Sequence, residues 1–258
     1  MRTLSIKSKV TLIATAALLG LLALVSAVPL SFFKVEMRQV LESQQFTLVS
    51  RVADEIDQTL LLRLNALVSL AKILRIEDFQ RPGAMQKNLE GRPGLQSEFD
   101  VLSAIAASGK FVAAVPYDKG RQHINLSDRP WIRGVLASGR PFVSPPHRAR
   151  LNDEPQVILG APIFGPRGEV AGVLAGTLNL FRPNFLGNIG QTPVGKTGAF
   201  GLFTKDRLIV MSADRDRIMT EGPVPGASAF FDHAVAGAEG TEESVASSGL
   251  HALFSYKS

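Results

Sequence analysis

Apolar residues are most concentrated in one uncharged run near the start of the chain, at residues 10–33. At about 1.5 Å per residue, a helix of that length crosses a hydrocarbon core of roughly 30 Å. The residues before the run include basic side chains and no acidic one, which places residues 1–9 in the cytoplasm and the residues after 33 outside. A signal peptide cleaved near residues 25–27 is the alternative, although its apolar region is usually shorter. Both interpretations export the remaining chain.

From residue 34 to residue 76, apolar side chains recur mostly at helical spacings, and no Pro or Gly interrupts the segment. This pattern predicts a long extracytoplasmic stalk helix over 34–76. The stalk also predicts a homodimer, although a single helix packed along one domain would have the same periodicity.

Beyond the breaker clusters at 81–83 and 91–94, the apolar pattern changes towards strands. The predicted strands form two Gly-containing hairpins and lie at 99–105, 110–115, 157–164 and 169–180. The last two are so rich in apolar residues that we expect them in the middle of an antiparallel sheet with one packed face.

A short helix is predicted between these hairpins. It begins at Arg129 or Pro130 and runs to Ser138, with Ser127 or Asp128 available as its N-cap. Gly139 is the predicted stop.

A second group of elements follows residue 181, and the chain ends inside it. Its predicted strands are 199–203, 208–211 and 249–256, and its predicted helix is 230–236. The overall expectation is an α+β protein with two antiparallel-sheet modules. Its predicted parts are a cytoplasmic N-terminus (1–9), a transmembrane helix (10–33), the stalk (34–76), a membrane-distal module (77–180) and a truncated membrane-proximal module (181–258).

Composition excludes several classes of chemistry. The chain has no cysteine, which removes disulfides and thiolate catalysis. Its net charge of +5 comes from basic residues interleaved with acidic ones, which is not the pattern of a nucleic-acid binder. The four histidines lack the spacing of a metal site, and no nucleophile has an evident base. We therefore expect no enzyme, no metal and no cofactor.

Residues 190–197 match the phosphate-binding pattern G-x-x-x-x-G-K-T. A phosphate loop requires backbone N–H groups and a helix after the loop. Here Pro193 lacks an N–H, and the residues after Thr197 are typical of a strand. We expect a structural turn.

Several short segments, in this order, resemble the double Cache (dCACHE) family of extracytoplasmic sensor domains. They are Asp128-Arg129-Pro130-Trp131, Gly139, Val143-Ser144, Ala161-Pro162-Ile163, Gly168–Leu174 and Gly195-Lys196-Thr197-Gly198. The resemblance implies two PAS-like modules stacked on the long helix, with a small ligand in the distal module. It also implies a receptor whose cytoplasmic output, of chemoreceptor, histidine kinase or diguanylate cyclase type, is missing here.

The amino-acid-binding subgroup of that family has an Arg-x-Trp-Tyr run and a later Asp that holds the ligand ammonium. Arg129 and Trp131 match this pattern, but Ile132 replaces the Tyr and Thr177 stands where the Asp belongs. Arg129 would bind a carboxylate through two hydrogen bonds, whereas an ammonium would lack its partner. The resemblance therefore implies a ligand with an anionic or neutral polar end, and ordinary amino acids are disfavoured.

The Pro-rich loop at 144–155 is either a solvated loop of mixed charge or a lid over the ligand. As a lid it would bring His147 or Arg148 to an anionic ligand. The candidate ligand-binding residues are thus Arg129, Trp131, Ser144, His147, Arg148 and Thr177.

The predicted function is small-molecule sensing in the periplasm and signal transmission through the inner membrane. The alternatives are an anchored scaffold that binds another protein and, with less support, an anchored hydrolase.

Overall fold

The computed structural model of the chain describes residues 6–81, 83–245, 249 and 251–258, and excludes the side chains of residues 6, 8, 9 and 23–35. It is an α+β protein with a long helix and an antiparallel sheet. The chain forms two compact units, Met1–Ser50 with Glu239–Lys257 and Arg51–Ala238 with Ser258. The predicted module limits at 77–180 and 181–258 stay predictions.

The helices are α1 (Ile6–Ala71), α2 (Glu77–Gln80), α3 (Ala84–Glu90), α4 (Pro93–Gln96), α5 (Pro130–Ser138), α6 (Phe185–Gln191) and α7 (Ala229–Val235). The strands are β1 (Val101–Ala106), β2 (Phe111–Val115), β3 (Phe142–Val143), β4 (His147–Arg148), β5 (Pro155–Phe164), β6 (Val170–Asn179), β7 (Pro193–Val194), β8 (Gly198–Ala199), β9 (Leu202–Phe203), β10 (Ile209–Met211), β11 (Gly240–Val245) and β12 (His251–Tyr256). Two 3₁₀ turns lie at Lys119–His123 and Arg215–Arg217.

Helix α1 includes most of the predicted stalk but ends at Ala71, before the predicted limit at 76. After it, the N–H groups of Ile73 and Leu74 both donate to the carbonyl of Leu70. Leu74 is nevertheless buried in the same core as the last helical turns. The apolar spacing thus predicted burial beyond the end of α1.

The predicted transmembrane helix at 10–33 is not supported by the structure. Backbone residues 10–33 are helical, but the side chains of 23–33 fall outside the described set. Among the residues that were described, no helix combines the length and apolar character needed to cross a bilayer.

The main sheet has six strands in the order β2-β1-β6-β5-β3, with β4 also pairing with β5. Both predicted hairpins are present, because β1 pairs with β2 and β5 pairs with β6, in antiparallel register. Strand β6 lies between β1 and β5, with Ser103 opposite Ala175 and Ile158 opposite Thr177. The two long strands therefore occupy the centre, as their composition predicts.

The central strands are packed on both faces, so the prediction of one packed face is wrong. Alternate residues such as Leu159 and Leu174 join a core that includes the end of α1. Their neighbours Ile158 and Val173 join a second core that includes α5. Because two layers cover the sheet, successive residues of β5 and β6 are buried and polar alternation is lost.

Helix α5 agrees with the predicted limits, and its Gly139 adopts the left-handed conformation (φ 61°) that ends a helix. The predicted N-cap is wrong. Arg129 occupies the cap position without a side-chain cap, and the Asp128 carboxylate accepts a hydrogen bond from Arg150 instead. Pro130 at the first helical position lacks an N–H, which reduces the need for a cap.

Three short helices, α2 to α4, lie where only chain breaks were predicted. The predicted strand at 199–203 is divided, because β8 pairs with β7 whereas β9 pairs with β10. The β7–β8 pairing places Gly195, Lys196 and Thr197, the end of the G-x-x-x-x-G-K-T segment, in a hairpin turn. Helix α7 is held to this region by an ion pair between Arg207 and Asp232 and by stacking of Phe203 on Phe231 at 4.3 Å.

The unit formed by residues up to 50 and 239–257 contains the first part of α1 and the hairpin of β11 and β12. Strand β12 was predicted, and β11 was not. Arg38 contacts Glu42 on its own helix at 2.8 Å and Glu243 of β11 at 3.3 Å. Thr241 donates to the carbonyl of Glu42 at 3.4 Å.

Burial on both faces predicts the cost of two neighbouring substitutions. Leu174→Ala removes atoms from the α1 face and should cost about 2–5 kcal/mol of unfolding free energy. Val173→Ala removes atoms from the α5 face and should cost about 1.5 kcal/mol or more. Urea denaturation measures both. The control Val224→Ala, at a 67% exposed residue, should change stability by less than about 0.5 kcal/mol. A sheet with one packed face would tolerate one of the two core substitutions.

Candidate functional site: a polar cleft on the α5 face of the sheet

A cleft with about 680 Å³ of empty space, partly open to solvent, lies on the face of the sheet that α5 covers. Its floor consists of alternate residues of three adjacent strands, which is the set that shares one face. These are Val101, Ser103 and Ile105 of β1, Ala175, Thr177 and Asn179 of β6, and Gln156 and Ile158 of β5. The floor is apolar near α5 and polar at the ends of β5 and β6.

The walls come from loops and from the start of α5. One wall contains the 3₁₀ turn with Arg121, the residues after it and Trp131. The opposite wall is the turn between β4 and β5, at residues 149–154. Five residues of this turn line the cleft, namely Ala149, Arg150, Leu151, Asn152 and Glu154. The Pro-rich loop therefore borders the cleft through its second half.

Arg150 connects the two walls. Its guanidinium donates to the backbone carbonyl of Asn125 and to the carboxylate of Asp128, each at 2.6 Å. This hydrogen bond from Arg150 lowers the pKa of Asp128, so the pair stays ionised well below neutral pH. The β4–β5 turn is thus held against the segment that leads into α5.

Two buried hydrogen-bond donors, on residues that line the cleft, have no partner in the described part of the chain. Trp131 is only 3% exposed, and its indole Nε1 is one of them. The other is Nε of Arg121, a half-buried side chain whose guanidinium lies 5.8 Å from the centre of the Phe111 ring. Burial lowers the pKa of Arg121. The ordinary pKa of a guanidinium is so high that the group nevertheless stays charged. A buried donor without an acceptor is costly, so both atoms mark hydrogen bonds that the described residues leave unmade.

Of the predicted site residues, Trp131 and Thr177 line the cleft, whereas Arg129, Ser144, His147 and Arg148 do not. Arg129 donates to the backbone carbonyl of Arg148, in β4, at 3.4 Å. Arg148 donates to the carbonyl of Asp153 at 2.9 Å. The binding roles of these residues stay predictions.

Ser144 and His147 do not line the cleft, but each contacts a residue of β5. The Ser144 hydroxyl accepts from the N–H of Ile158 at 2.9 Å, which joins the loop to β5. Nδ1 of His147 lies 3.0 Å from the Pro145 carbonyl, and its Nε2 lies 3.2 Å from the side-chain nitrogen of Gln156. Because Gln156 lines the cleft, His147 supports a cleft residue from outside.

Sequence reasoning did not select Arg121, Asp100 and Glu154, which are three of the five charged residues that line the cleft. No periodicity marks them, because they lie in loops or next to strand ends. A usable signal was present in β6, where Thr177 and Asn179 put two polar residues on one face of an apolar strand. Within the described ranges, no group of three or more His, Asp or Glu side chains is placed to hold a metal ion.

No protein-family model and no curated protein sequence matches this chain. Solved structures match its fold. The ligand-binding domain of the Pseudomonas aeruginosa PAO1 amino acid chemoreceptor PctC, in complex with GABA, is 21% identical, with a TM-score of 0.60 over 79% of this chain and 87% of that one. The ligand-binding domain of the Pseudomonas fluorescens chemoreceptor CtaA, in complex with L-serine, is 19% identical, with a TM-score of 0.61 over 84% and 89% of the two chains.

The extracellular domain of mmHK1S-Z2, a protein assigned to the histidine kinases, is 13% identical, with a TM-score of 0.62 over 83% of this chain and 91% of that one. These likenesses confirm the predicted resemblance at the level of the fold. The chain has the fold of the extracytoplasmic sensor domains of bacterial receptors, consistent with a double Cache domain.

The environment of His147 predicts a pH dependence of stability. Burial lowers its pKa, the nearby Arg129 lowers it further, and the hydrogen bond to Pro145 opposes the shift. The unfolded state then binds a proton more readily than the folded state, so stability falls as pH drops through about 6.5. Between pH 7.5 and 5.5, chemical denaturation should show a smaller loss for His147→Gln than for the wild type. His123→Gln, at an exposed histidine, is the control, and an equal loss in both variants contradicts the prediction.

Proposed function

We propose that this chain is the extracytoplasmic sensing part of a bacterial receptor and that its ligand is a small molecule bound in the cleft on the α5 face. The observation that carries the proposal is the pair of unpartnered donors, Trp131 Nε1 and Arg121 Nε, in one partly enclosed cleft. An anionic or other acceptor group on the ligand would satisfy both. The chemistry proposed is binding and not catalysis.

The solved structures of similar fold support a small organic ligand. PctC is described with GABA, and CtaA with L-serine. At 21% and 19% identity these likenesses establish fold alone, so the ligand of this chain has to be argued from its own residues. Arg121 and Trp131 together favour a carboxylate, because a guanidinium binds carboxylates strongly and an indole N–H adds a neutral donor.

The sheet offers a short route from ligand to helix. Thr177 lies on the cleft floor, whereas the next residue, Leu178, belongs to the core that includes Leu67 and Leu70 of α1. A shift of β6 that improves ligand contacts therefore acts on the packing of α1. Packed cores have discrete arrangements, so a coupling of about 1–3 kcal/mol is sufficient to change output severalfold.

Membrane attachment and dimer formation are part of this proposal. Attachment rests on the uncharged run at 10–33, and the dimer rests on apolar side chains of α1 such as Leu61 and Leu62, which are 58% and 69% exposed. The type of cytoplasmic output is left open.

The ligand proposal is tested by thermal stability of the full chain against amino acids, carboxylates, amines and purines. A ligand at a hundredfold excess over its Kd should stabilise the protein by about 2.7 kcal/mol. Arg121→Gln removes the charge and Trp131→Phe removes only the indole N–H, and each should reduce the ligand-induced shift. Arg129→Gln distinguishes the anion site expected from the sequence, at Arg129, from the one in the cleft, at Arg121. Because Arg129 does not line the cleft, its substitution should reduce the ligand-induced shift less than Arg121→Gln does.

Arg167→Gln, in the exposed β5–β6 turn, is the matched control and should keep the wild-type shift. A folded wild type that no compound stabilises would refute the small-molecule proposal and favour a protein partner. A shift that is lost with Arg129→Gln and kept with Arg121→Gln would move the anion site to the position implied by the sequence.

The attachment proposal is tested by fractionation. The full chain, expressed in a bacterial host, should stay with the membrane pellet after alkaline carbonate treatment, because a spanning apolar helix is not released by charge or pH. A chain that starts at residue 34 should be soluble after the same treatment. Release of the full chain by carbonate, or an N-terminus found near residue 28, would contradict anchoring.

A further inference from the structure

His147 and Gln156 lie opposite each other on neighbouring strands. They are register partners in the antiparallel pairing of β4 with β5, so their side chains share one face of the sheet. Gln156 is in turn the register partner of Asn179 in β6, and Gln156 and Asn179 both line the cleft. One strand further out, the His147 ring therefore lies beside the cleft and contacts it through Gln156.

The contacts of the imidazole fix the position of its hydrogen. Nδ1 lies 3.0 Å from the backbone carbonyl oxygen of Pro145, which can only accept, so Nδ1 carries the hydrogen of the neutral ring. Nε2 of His147 is then an acceptor, and the side-chain nitrogen of Gln156 donates to it at 3.2 Å. The neutral ring thus holds the amino end of the Gln156 amide towards itself.

The carbonyl end of the same amide is left for the cleft. Oε1 of Gln156 accepts no hydrogen bond from another residue in the described part of the chain, and the side chain lines the cleft. With a neutral ring at His147, the cleft therefore has an acceptor at this position. A ligand group that donates a hydrogen bond is favoured there.

Protonation of His147 reverses these roles. An imidazolium donates from both ring nitrogens, so its Nε2 no longer accepts, and it would oppose the amino group of Gln156. A half turn of the terminal amide removes this conflict, because it brings Oε1 to the ring and moves the amino group to the cleft. The terminal torsion of a Gln side chain is broad and roughly two-fold, so the turn needs no movement of the backbone.

The charged groups next to the imidazole do not supply another acceptor for it. Arg129, just before α5, acts on the ring as a like charge and disfavours the imidazolium. Arg148, the next residue of β4, donates to the carbonyl and to the carboxylate of Asp153 in the β4–β5 turn. Glu154, at the end of that turn, accepts from two Asn side chains. The Gln156 oxygen is thus the side-chain acceptor within reach of Nε2.

We propose that His147 and Gln156 form a proton-controlled switch that sets the hydrogen-bonding character of the cleft. With the neutral ring, Gln156 offers its carbonyl oxygen and favours a ligand donor. With the imidazolium, it offers its amino group and favours a ligand acceptor. This inference rests on the proposed function and adds regulation of its site by pH. Because burial lowers the pKa of His147, the exchange occurs below the ordinary histidine value of about 6.5.

The switch is tested on the full chain by NMR spectroscopy with ¹⁵N-labelled His and Gln side chains. The chain has four histidines, and the ring signals lost in His147→Gln are those of His147. At about pH 8 the neutral ring should carry its hydrogen on Nδ1, and it should titrate below about 6.5. A nuclear Overhauser effect between the ring and the Gln156 amino protons should be present above the titration midpoint and lost below it.

A hydrogen on Nε2 of the neutral ring would overturn the switch, because the Gln156 oxygen would then face the ring at every pH. A nuclear Overhauser effect that persists below the midpoint would overturn it as well, because the amide would not have turned. The measurement needs no ligand. Its failure therefore leaves the small-molecule proposal intact, and that proposal fails separately if no compound stabilises the chain.

Gln156→Glu tests the contact from the other side. A carboxylate accepts from the protonated ring without turning, so the variant should raise the proton affinity of His147 about tenfold or more, a shift of about one pH unit or more. Gln80→Glu, at the exposed end of α2, makes the same charge change and should keep the wild-type midpoint. Circular dichroism checks that both variants fold. An unchanged midpoint in folded Gln156→Glu would contradict the contact on which the switch depends.

Discussion

The structure of residues 51–238 depends on one constraint, which is that the two central strands of the sheet are buried on both faces. Residues of β5 and β6 alternate between the core that includes the end of α1 and the core that includes α5. Gly176 shows how closely this sheet is packed, because a Cβ at that position would overlap the ring of Phe99. A strand in such a position cannot carry a polar side chain without a partner. The few polar residues on it therefore mark places where the packing is interrupted.

Those interruptions coincide with the cleft. Thr177 and Asn179 lie at the end of β6 that α5 does not cover, and the wall there is the β4–β5 turn. The polar end of the cleft is built by hydrogen bonds from neutral amides to carboxylates, and the end near α5 is built by Trp131 and Arg121. Among the described residues, charges of both signs thus border one space without pairing across it. This arrangement is typical of a site that binds a polar molecule, because a purely structural network would satisfy its own charges.

The shared sheet also connects the cleft to α1. Successive residues of β6 contact the cleft and the helix core, so no separate relay is needed between them. A shift of β6 by a fraction of an ångström on the cleft side would displace the close-packed side chains of the α1 core on its other face. The fold thus places the cleft and the core that includes the end of α1 on opposite faces of the same strand.

The sequence by itself determined the α+β class, both hairpins of the main sheet, α5 with its glycine stop, and the resemblance to extracytoplasmic sensor domains. These features depend on local periodicity, turn residues and short motifs, which are written along the chain. It also indicated Trp131 and Thr177, which line the cleft. It could not place Arg121, Asp100, Glu154 or Asn179 together, since they are up to tens of residues apart and come from a 3₁₀ turn and the ends of three strands. It also predicted one packed face and a side-chain cap for α5. Tertiary structure decided both, because a second covering layer and the ion pair of Asp128 with Arg150 are long-range contacts that periodicity does not record.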